Sequence, residues 1–494
     1  MSGARLRSRA LVALFGLGGA GVLPAQDDVA VPAPSPLTAA ETAAMARIDE
    51  GVVRATIAFL ASDELGGRDT PSPGLRIASA YVAARFAGAG LEGLGEGEGC
   101  AQYYLESAMN MTALPSRGLE LRDGSGADLA HLGLLAAAPG DAAVELAGAL
   151  FDAGTGLPQD GVSPYPEADI AGAVLVGEQP PERVRKGWPA SYAALMPLRR
   201  QVKEAERRGA TAMLVRVGPQ SPLLEMAASL RDKPVARDRL RFATMPVVLV
   251  PEDWAADAIQ LRVPPRVRTA EVVRNVCGVL RGSDPARRQE AILISAHLDH
   301  IGTGTGEGDR IYNGADDDAS GVTAVLALAD AFAALPEPPA RSLLFMTFWG
   351  EEKGLRGSRA FCDDPAWLLD DIVANVNLEM LGRPEEDAQH KAWMTGWKHS
   401  DLGELMAPGA ARGGVELFRH PRYSAMLYGA SDNASFVREG LVAHSFSAGS
   451  LHDDYHQPGD EWQTLDLPHM TKVIQGLFCG VLPLAHGDLT PQRR

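Results

Sequence analysis

The chain has 494 residues, of which 46% are hydrophobic, so it is long enough for two or three domains with a large core. Its formal net charge of −17 at pH 7 argues against nucleic acid as a partner, because an acidic surface repels phosphates. The four cysteines lie far apart and form no Cys-x-x-Cys pair, which argues against a cysteine zinc knuckle and leaves any disulfide pairing open.

Residues 1–25 have the pattern of an export signal peptide. A segment with three arginines precedes an apolar run over 11–23, and Leu23-Pro-Ala25 offers a small-residue cleavage site. The run is short and rich in glycine, and no later segment has about 18 uninterrupted apolar residues. We therefore expect an exported protein, periplasmic or extracellular, without a stable membrane anchor. An uncleaved anchor or a lipoprotein is the alternative.

Helical periodicity dominates the residues that follow a Pro/Ala-rich linker at 30–37. Apolar positions predict a helix over 41–60 and, after a Gly/Pro loop, a second helix over 78–90. We assign residues 38–110 to the N-terminal part of a catalytic domain.

The sequence pattern changes between residues 111 and 265. Short β-like runs at 173–177, 212–216 and 245–251 flank one amphipathic helix predicted over 194–208. Because this stretch contains none of the candidate metal ligands described below, we interpret 111–265 as an inserted, β-rich domain.

Strands and helices alternate regularly in the last part of the chain, 266–488. Apolar runs predict strands over 291–296, 342–348, 372–378 and 442–447, and helical periodicity predicts helices over 319–334, 432–439 and 468–484. Continuous apolar strands between amphipathic helices favour an α/β fold with a mostly parallel central sheet and helices on both faces.

Five metal-binding side chains lie in this last part, most of them directly after an apolar run: His297, Asp316, Glu352, Glu379 and His456. Open α/β sheets place their sites at the carboxyl ends of strands, so several of these side chains are expected to meet. Two neutral imidazoles and three carboxylates suit a pair of zinc ions, since two ions that share a carboxylate need about five protein ligands. The set predicts a hydrolase with two zinc ions per chain.

The segments that carry these residues resemble those of the co-catalytic zinc aminopeptidases. They are His297-Leu-Asp299, Gly314-Ala-Asp-Asp-Asp-Ala-Ser-Gly-Val322, Glu351-Glu352, Asn377-Leu-Glu-Met380, Ser431-Asp-Asn-Ala-Ser-Phe436 and Asp454-Tyr-His-Gln-Pro-Gly-Asp460. This family also includes glutamate carboxypeptidases, plasma-type carboxypeptidases and the transferrin receptor ectodomain. The resemblance implies a zinc exopeptidase fold that begins near 59–68, and the insert resembles a protease-associated (PA) domain.

The resemblance also implies a set of metal ligands. Asp316 would bridge the two zinc ions, and a non-proline cis peptide bond would join it to Asp317. His297 and Glu379 would complete one ion, and Glu352 and His456 the other. Many relatives carry Asp where this chain has Glu379, so its metal is expected to sit differently or to be bound through one oxygen.

Three further residues gain catalytic roles from the resemblance. Glu351 would be the general base, taking a proton from a metal-bound water as the hydroxide attacks the scissile carbonyl. Asp299 is placed to accept the other imidazole N–H of His297. Tyr455 resembles a tyrosine that hydrogen-bonds the developing oxyanion. Asn433 departs from the His that relatives often show, which leaves that loop's contact with substrate open.

The implied activity is an aminopeptidase that hydrolyses N-terminal residues from peptides. A carboxypeptidase or dipeptidase of the same family is the alternative, and glutaminyl cyclisation is a weaker one. A non-catalytic, receptor-like homologue is disfavoured by the intact ligands and Glu351. A carboxypeptidase needs a cation for the terminal carboxylate, and the sequence leaves the positions of Arg383, Arg419 and Arg422 open. The remaining histidines are interpreted as surface or packing residues: His300, His399, His420, His444 and His452.

Overall fold

The computed structural model describes residues 35–494 apart from 116, 139, 157–164, 166–169, 184–189, 231–234, 237–242 and 305–306. The export signal expected at 1–25 lies outside these residues. All four cysteines are described, and none is in a disulfide. Among the described residues, no helix combines the length and the apolarity that crossing a bilayer requires.

The N-terminal part forms helices that cover one face of the main sheet. Its elements are α1 (Ala39–Met45), α2 (Glu50–Leu60), α3 (Pro73–Gly88), β1 (Glu92–Gly93) and β2 (Tyr104–Ala113). The single helix predicted over 41–60 is two helices, because Asp49 caps α2 by accepting a hydrogen bond from the Gly51 N–H. Val53, Ile57 and Leu60 of α2 are fully buried.

A second sheet lies between β2 and the next strand of the main sheet. This insert contains β3 (Glu120–Asp123), β4 (Gly133–Ala136), β5 (Val144–Gly154), β6 (Val174–Glu178), α4 (Ala190–Arg207), β7 (Ala212–Val217), α5 (Pro222–Leu230), β8 (Val235–Ala236), β9 (Val247–Pro251) and β10 (Ala258–Val263). Within the described residues seven of these strands pair in the order β3-β10-β5-β6-β7-β9-β4, whereas β8 pairs with β2. Separate apolar clusters pack on the two faces of this sheet.

The last part of the chain supplies most of the main sheet. Its strands are β11 (Val267–Leu280), β12 (Ala291–His297), β13 (Gly302–Thr303), β14 (Ile311–Tyr312), β15 (Ser342–Phe348), β16 (Ile372–Leu378), β17 (Lys391–Met394), β18 (Glu416–Phe418) and β19 (Ala443–Ser447). Its helices are α6 (Gly321–Ala333), α7 (Arg356–Asp363), α8 (Leu402–Arg412), α9 (Tyr423–Met426), α10 (Asn433–Arg438) and α11 (Leu467–Ala485).

The main sheet is mixed rather than mostly parallel. Within the described residues it has ten strands in the order β18-β17-β19-β16-β12-β15-β11-β2-β8, with β1 added on β11. The four central strands β19, β16, β12 and β15 are parallel. The long strands β11 and β2 pair antiparallel, since they carry the chain into and out of the insert. The prediction of a parallel sheet is therefore confirmed only for its centre.

Helices cover both faces of the sheet, as predicted. Alternate residues of β12 point to opposite sides: Ile292 and Ile294 join a cluster with α2, α6 and α11, whereas Leu293 joins one with α7 and α10. Every residue of β12 and β15 is buried. Side chains at the carboxyl ends of these strands are therefore held by a rigid, dry layer.

Candidate metal centre

The carboxyl ends of three neighbouring parallel strands, β15, β12 and β16, form the floor of the site. His297 is the last residue of β12, Glu379 follows β16, and Glu351 and Glu352 follow β15 within a short loop. His456 reaches the same place from a turn before α11, with a backbone φ of 57°. Four of the five predicted ligands therefore come together.

The fifth member of the cluster is Asp317 rather than Asp316. Asp317 Oδ1 lies 3.0 Å from His297 Nε2, and Asp317 Oδ2 lies 3.1 Å from His456 Nε2. Asp316 points elsewhere: its Oδ1 accepts a hydrogen bond from the Gly382 N–H at 2.7 Å, and its Oδ2 lies 3.4 Å from His452. The non-proline cis bond likewise joins Asp317 to Asp318, not Asp316 to Asp317.

Neighbouring carboxylates fix the loop that presents Asp317. Asp460 accepts hydrogen bonds from the N–H groups of Asp316 and Asp317 at 2.9 and 3.1 Å. Asp318 accepts from the N–H groups of Gly321 and His297 at 3.0 and 3.2 Å. Three consecutive aspartates thus have three different tasks, and only the middle one faces the two imidazoles.

We call His297, Asp317 and Glu379 the Glu379 group; their ligand atoms lie within 4.8 Å of one another. Glu379 Oε2 is 3.7 Å from His297 Nε2. Glu379 Oε1 instead accepts hydrogen bonds from Asn377 and Ser431, so only one of its oxygens remains for a cation. This arrangement fits the expectation that the longer side chain binds through a single oxygen.

We call Asp317, Glu352, His300 and His456 the Glu352 group. Glu352 Oε1 lies 2.8 Å from His300 Nδ1 and 3.4 Å from His456 Nε2. His300, which was interpreted as a surface or packing residue, is fully buried and faces Glu352 in this group. Its position three residues after His297, directly beyond a buried strand, was a signal that sequence reasoning could have used.

Neighbouring imidazoles set the protonation of the Asp317 and Glu352 carboxylates. Burial alone would raise the pKa of Asp317, but hydrogen bonds with His297 and His456 hold it well below its usual range. Burial and the Asp317 charge would likewise raise the pKa of Glu352, yet His300 and His456 lower it to about 2. Both carboxylates are therefore ionised, as metal ligands must be.

Glu351 lies in a different electrostatic environment from Glu352. Burial raises the pKa of Glu351 well above its usual range, and the carboxylates of Asp432, Glu379 and Glu352 add to the increase. Its backbone N–H donates to Asp299 Oδ1 at 3.0 Å. The pKa values of these adjacent glutamates are thus shifted in opposite directions, upward for Glu351 and downward for Glu352.

Asp299 supports the site differently from the prediction. His297 Nδ1 lies 2.9 Å from the backbone oxygen of Asp299 and 3.9 Å from its carboxylate. The carbonyl therefore fixes the imidazole, while the buried carboxylate receives the Thr70 hydroxyl at 2.9 Å and the Glu351 N–H. Burial raises the pKa of Asp299 to about 6.

Tyr455 and Asn433 have contrasting positions. Tyr455 lines the cavity described below, and its ring stacks on that of His456 with centroids 3.9 Å apart. Asn433 is fully buried and donates to the Tyr428 carbonyl at 2.9 Å while accepting from the Ser445 hydroxyl at 3.0 Å. Asn433 is thus a packing residue in this chain.

Arg68, which the sequence did not single out as a functional residue, clamps the two loops that carry the ligands. Its buried guanidinium donates to the carbonyls of Leu298, Asn313 and Gly314 at 2.9, 2.7 and 3.0 Å, and also to that of Leu60. Burial lowers its pKa to about 10, so the group keeps its charge at neutral pH. This cation lies beneath the acidic cluster and fixes its backbone.

A cavity opens beside the Glu379 group. His297, Asp317, Glu379 and Glu351 line one side, together with Tyr455 and His456. The remaining lining side chains are apolar groups and hydroxyls: Met380, Trp393, Thr395, Tyr423, Leu427, Ala430, Ser431, Ser445, Ser447, Ser450 and Leu451. Among the described residues no lysine or arginine lines it, and no lining residue comes from the insert.

Comparison with protein families places this site in a known context. Residues 275–478 match the model of peptidase family M28. A vacuolar membrane protease from Verticillium alfalfae is 34% identical over 91 residues, which are 18% of this chain and 8% of that protein. The chain thus spans a small fraction of the length of this curated relative.

Two solved structures share the fold over most of the chain. An aminopeptidase from Aneurinibacillus sp. strain AM-1 is 17% identical, with a TM-score of 0.51 over 90% of this chain and 96% of that one. A zinc aminopeptidase from Bacillus subtilis is also 17% identical, with a TM-score of 0.51 over 90% and 97%. At this identity the likeness shows the fold alone.

Proposed function

We propose that this chain, whose residues 275–478 match the model of peptidase family M28, is a zinc metallopeptidase and, more specifically, an exported aminopeptidase with two zinc ions. The Glu379 group and the Glu352 group would each hold one ion, and Asp317 would bridge them. The substrates would be peptides with a free amino terminus.

The residues present fit two divalent cations. Four carboxylates, those of Asp317, Glu351, Glu352 and Glu379, lie together in a largely buried place, where like charges need cationic partners. Glu352 Oε1 and both nitrogens of His300 are buried without a directed hydrogen bond. When bound, zinc polarises the scissile carbonyl and lowers the pKa of a water molecule.

Glu351 would move the proton in this reaction. It lines the cavity beside the Glu379 group, whereas Glu352 does not line it. Its carboxylate would accept a proton from the attacking water and pass it to the leaving amine. The carboxylate of Asp299 holds the Glu351 backbone and thereby aims this side chain. Tyr455, which also lines the cavity, would donate a hydrogen bond from its hydroxyl to the developing oxyanion.

The residues that line the cavity favour an aminopeptidase over a carboxypeptidase. Recognition of a terminal carboxylate usually needs a lysine or arginine, and the described residues that line the cavity include neither. Arg383 is already engaged with Asp454 at 2.7 Å and His452 at 3.1 Å, and Arg422 packs over the Tyr423 ring. A free ammonium group, by contrast, would meet the carboxylates of Glu351 and Glu379 directly.

Paired substrates test this proposal. Purified protein supplied with Zn²⁺ should hydrolyse leucyl-p-nitroanilide and should leave the N-acetylated compound intact. An N-blocked dipeptide with a free carboxyl terminus should also remain intact. Cleavage of the blocked dipeptide without cleavage of leucyl-p-nitroanilide would establish a carboxypeptidase instead.

The insert and the export signal complete the proposal. The insert would be a PA domain, supported by its β-rich sheet and its own apolar clusters. Export is supported by the pattern of residues 1–25.

A further inference from the structure

His300 is a buried imidazole that the proposed reaction does not use. It is fully buried, and neither of its ring nitrogens makes a directed hydrogen bond among the described residues. His444 provides the contrast: it is equally buried, but its Nδ1 lies 2.7 Å from the Thr395 carbonyl and its Nε2 lies 2.7 Å from the Ser400 hydroxyl. Buried polar groups without partners are rare and need an explanation.

The surroundings of His300 Nδ1 supply one. Glu352 Oε1 lies 2.8 Å away, and Asp317 Oδ2 lies 3.9 Å away. The two groups attract each other at this distance, but neither His300 Nδ1 nor Glu352 Oε1 makes a well-directed hydrogen bond among the described residues. Two ligand atoms can lie this close together without a hydrogen bond between them when both face the same cation.

The distances within the Glu352 group fit a single zinc ion. Bonds of about 2.0–2.1 Å in a tetrahedron place neighbouring ligand atoms about 3.3 Å apart. His456 Nε2 is 3.4 Å from Glu352 Oε1 and 3.1 Å from Asp317 Oδ2, and the two contacts of His300 bracket the same value. Four residues thus offer two nitrogens and two oxygens.

Backbone packing holds the His300 ring in this place. Gly314 adopts a φ of +56°, and a Cβ at that position would lie 2.5 Å from ring carbons of His300. The Gly314 carbonyl is itself held by Arg68 at 3.0 Å. The ring is therefore confined against the loop that carries Asp317.

We propose that His300 is a fourth protein ligand of the zinc ion held by the Glu352 group. This inference rests on the proposed function. The Glu379 group has three protein ligands, all lining the cavity, whereas His300 and Glu352 lie away from it. Structural zinc sites are closed by four protein ligands, and catalytic sites keep one position open. The Glu352 group therefore holds its ion more tightly, and the Glu379 group keeps the open position.

Metal titration of matched variants tests the assignment. Metal-free full-length protein is titrated with Zn²⁺ by calorimetry and with Co²⁺ by visible absorption, for the wild type, His300→Asn and His444→Asn. We expect two ions in the wild type, one of them bound more tightly. In His300→Asn the zinc affinity of one site should fall by more than the factor of about 10–100 that is typical when a residue hydrogen-bonded to a metal ligand is replaced. The cobalt spectrum should also change. His444→Asn should bind both ions as the wild type does.

Asparagine distinguishes a zinc ligand from a hydrogen-bond donor. Its amide N–H lies near the position of His300 Nδ1, so it can still donate a hydrogen bond but cannot replace the imidazole as a ligand. Unchanged affinity and an unchanged cobalt spectrum in His300→Asn would overturn the proposal. A wild type that binds no zinc would overturn the proposed function instead.

X-ray absorption on the unsubstituted protein gives a second test that does not depend on a folded variant. With two zinc ions bound, the assignment predicts a total of three imidazole ligands over the two ions, from His297, His300 and His456. Two imidazoles for two ions would contradict it.

Discussion

The two donor groups share Asp317 but differ in what surrounds them. Every member of the Glu379 group lines the cavity, and hydrogen bonds from Asn377 and Ser431 restrain the Glu379 carboxylate. In the Glu352 group two imidazoles restrain the terminal carboxylate, and His300 and Glu352 lie away from the cavity.

This difference would separate two tasks of the proposed pair of ions. A group with three ligands beside a cavity leaves room for water and substrate, and a group with four ligands holds an ion firmly. Glu351 lies on the cavity side, next to the group that has the room. The contrast supports the proposed roles of the neighbouring glutamates, Glu351 as base and Glu352 as ligand.

The largest expected effect on turnover comes from Glu351→Gln. The amide keeps the shape of the side chain but cannot accept the proton, so kcat should fall about 10²–10⁴-fold while both zinc ions remain. Steady-state kinetics on leucyl-p-nitroanilide and zinc analysis of the same sample provide the measurement.

Glu352→Gln is the matched control for that substitution. It should lose zinc from one site and regain part of its activity when Zn²⁺ is added, because it weakens a ligand. Rescue of Glu351→Gln by zinc, with Glu352→Gln remaining inactive, would show that the two roles are reversed.

A smaller effect is expected when the terminal carboxylate of the Glu379 group is shortened. Glu379→Ala removes a ligand and should weaken one zinc site more than about 100-fold, beyond the usual effect of an outer-shell partner. Glu379→Asp keeps the carboxylate and should retain activity within about tenfold of the wild type, as judged from ordinary ligand-variant effects on metal affinity. Equal zinc affinity in Glu379→Ala and the wild type would remove Glu379 from the ligand set.

The smallest effect on the metal centre should come from removal of the insert. Ala113 and Val267 are paired on β2 and β11, so a short turn can replace residues 114–266. None of the described residues that line the cavity lies in the insert, so zinc content and cleavage of leucyl-p-nitroanilide should persist. Longer peptides should reveal any change in the length accepted. Loss of zinc from the folded, shortened protein would contradict this separation.

The sequence predicted the central strands and the type of site well. The strands predicted at 342–348 and 372–378 match β15 and β16 residue for residue, since unbroken apolar runs between polar turns leave little ambiguity. The short strands β17 and β18 and helices α8 and α9 were not predicted, because elements of three to eleven residues give little periodicity.

The residues of the candidate metal centre were predicted less completely. Asp316, Asp317 and Asp318 are chemically identical, and only the fold of their loop decides which carboxylate meets His297 and His456. Arg68 was not predicted as a site residue because its role depends on contacts between distant segments, such as that with the Gly314 carbonyl. A local pattern does not contain such contacts.

The most direct test of the shared carboxylate is the zinc stoichiometry of Asp317→Asn beside Asp316→Asn. Asp317 faces an imidazole of each group, whereas Asp316 binds the Gly382 N–H, a bond that an asparagine oxygen can keep. We predict that folded Asp317→Asn loses high-affinity binding of both ions and that Asp316→Asn retains two. Two tightly bound ions in Asp317→Asn, with loss of zinc in Asp316→Asn, would contradict this account of the site.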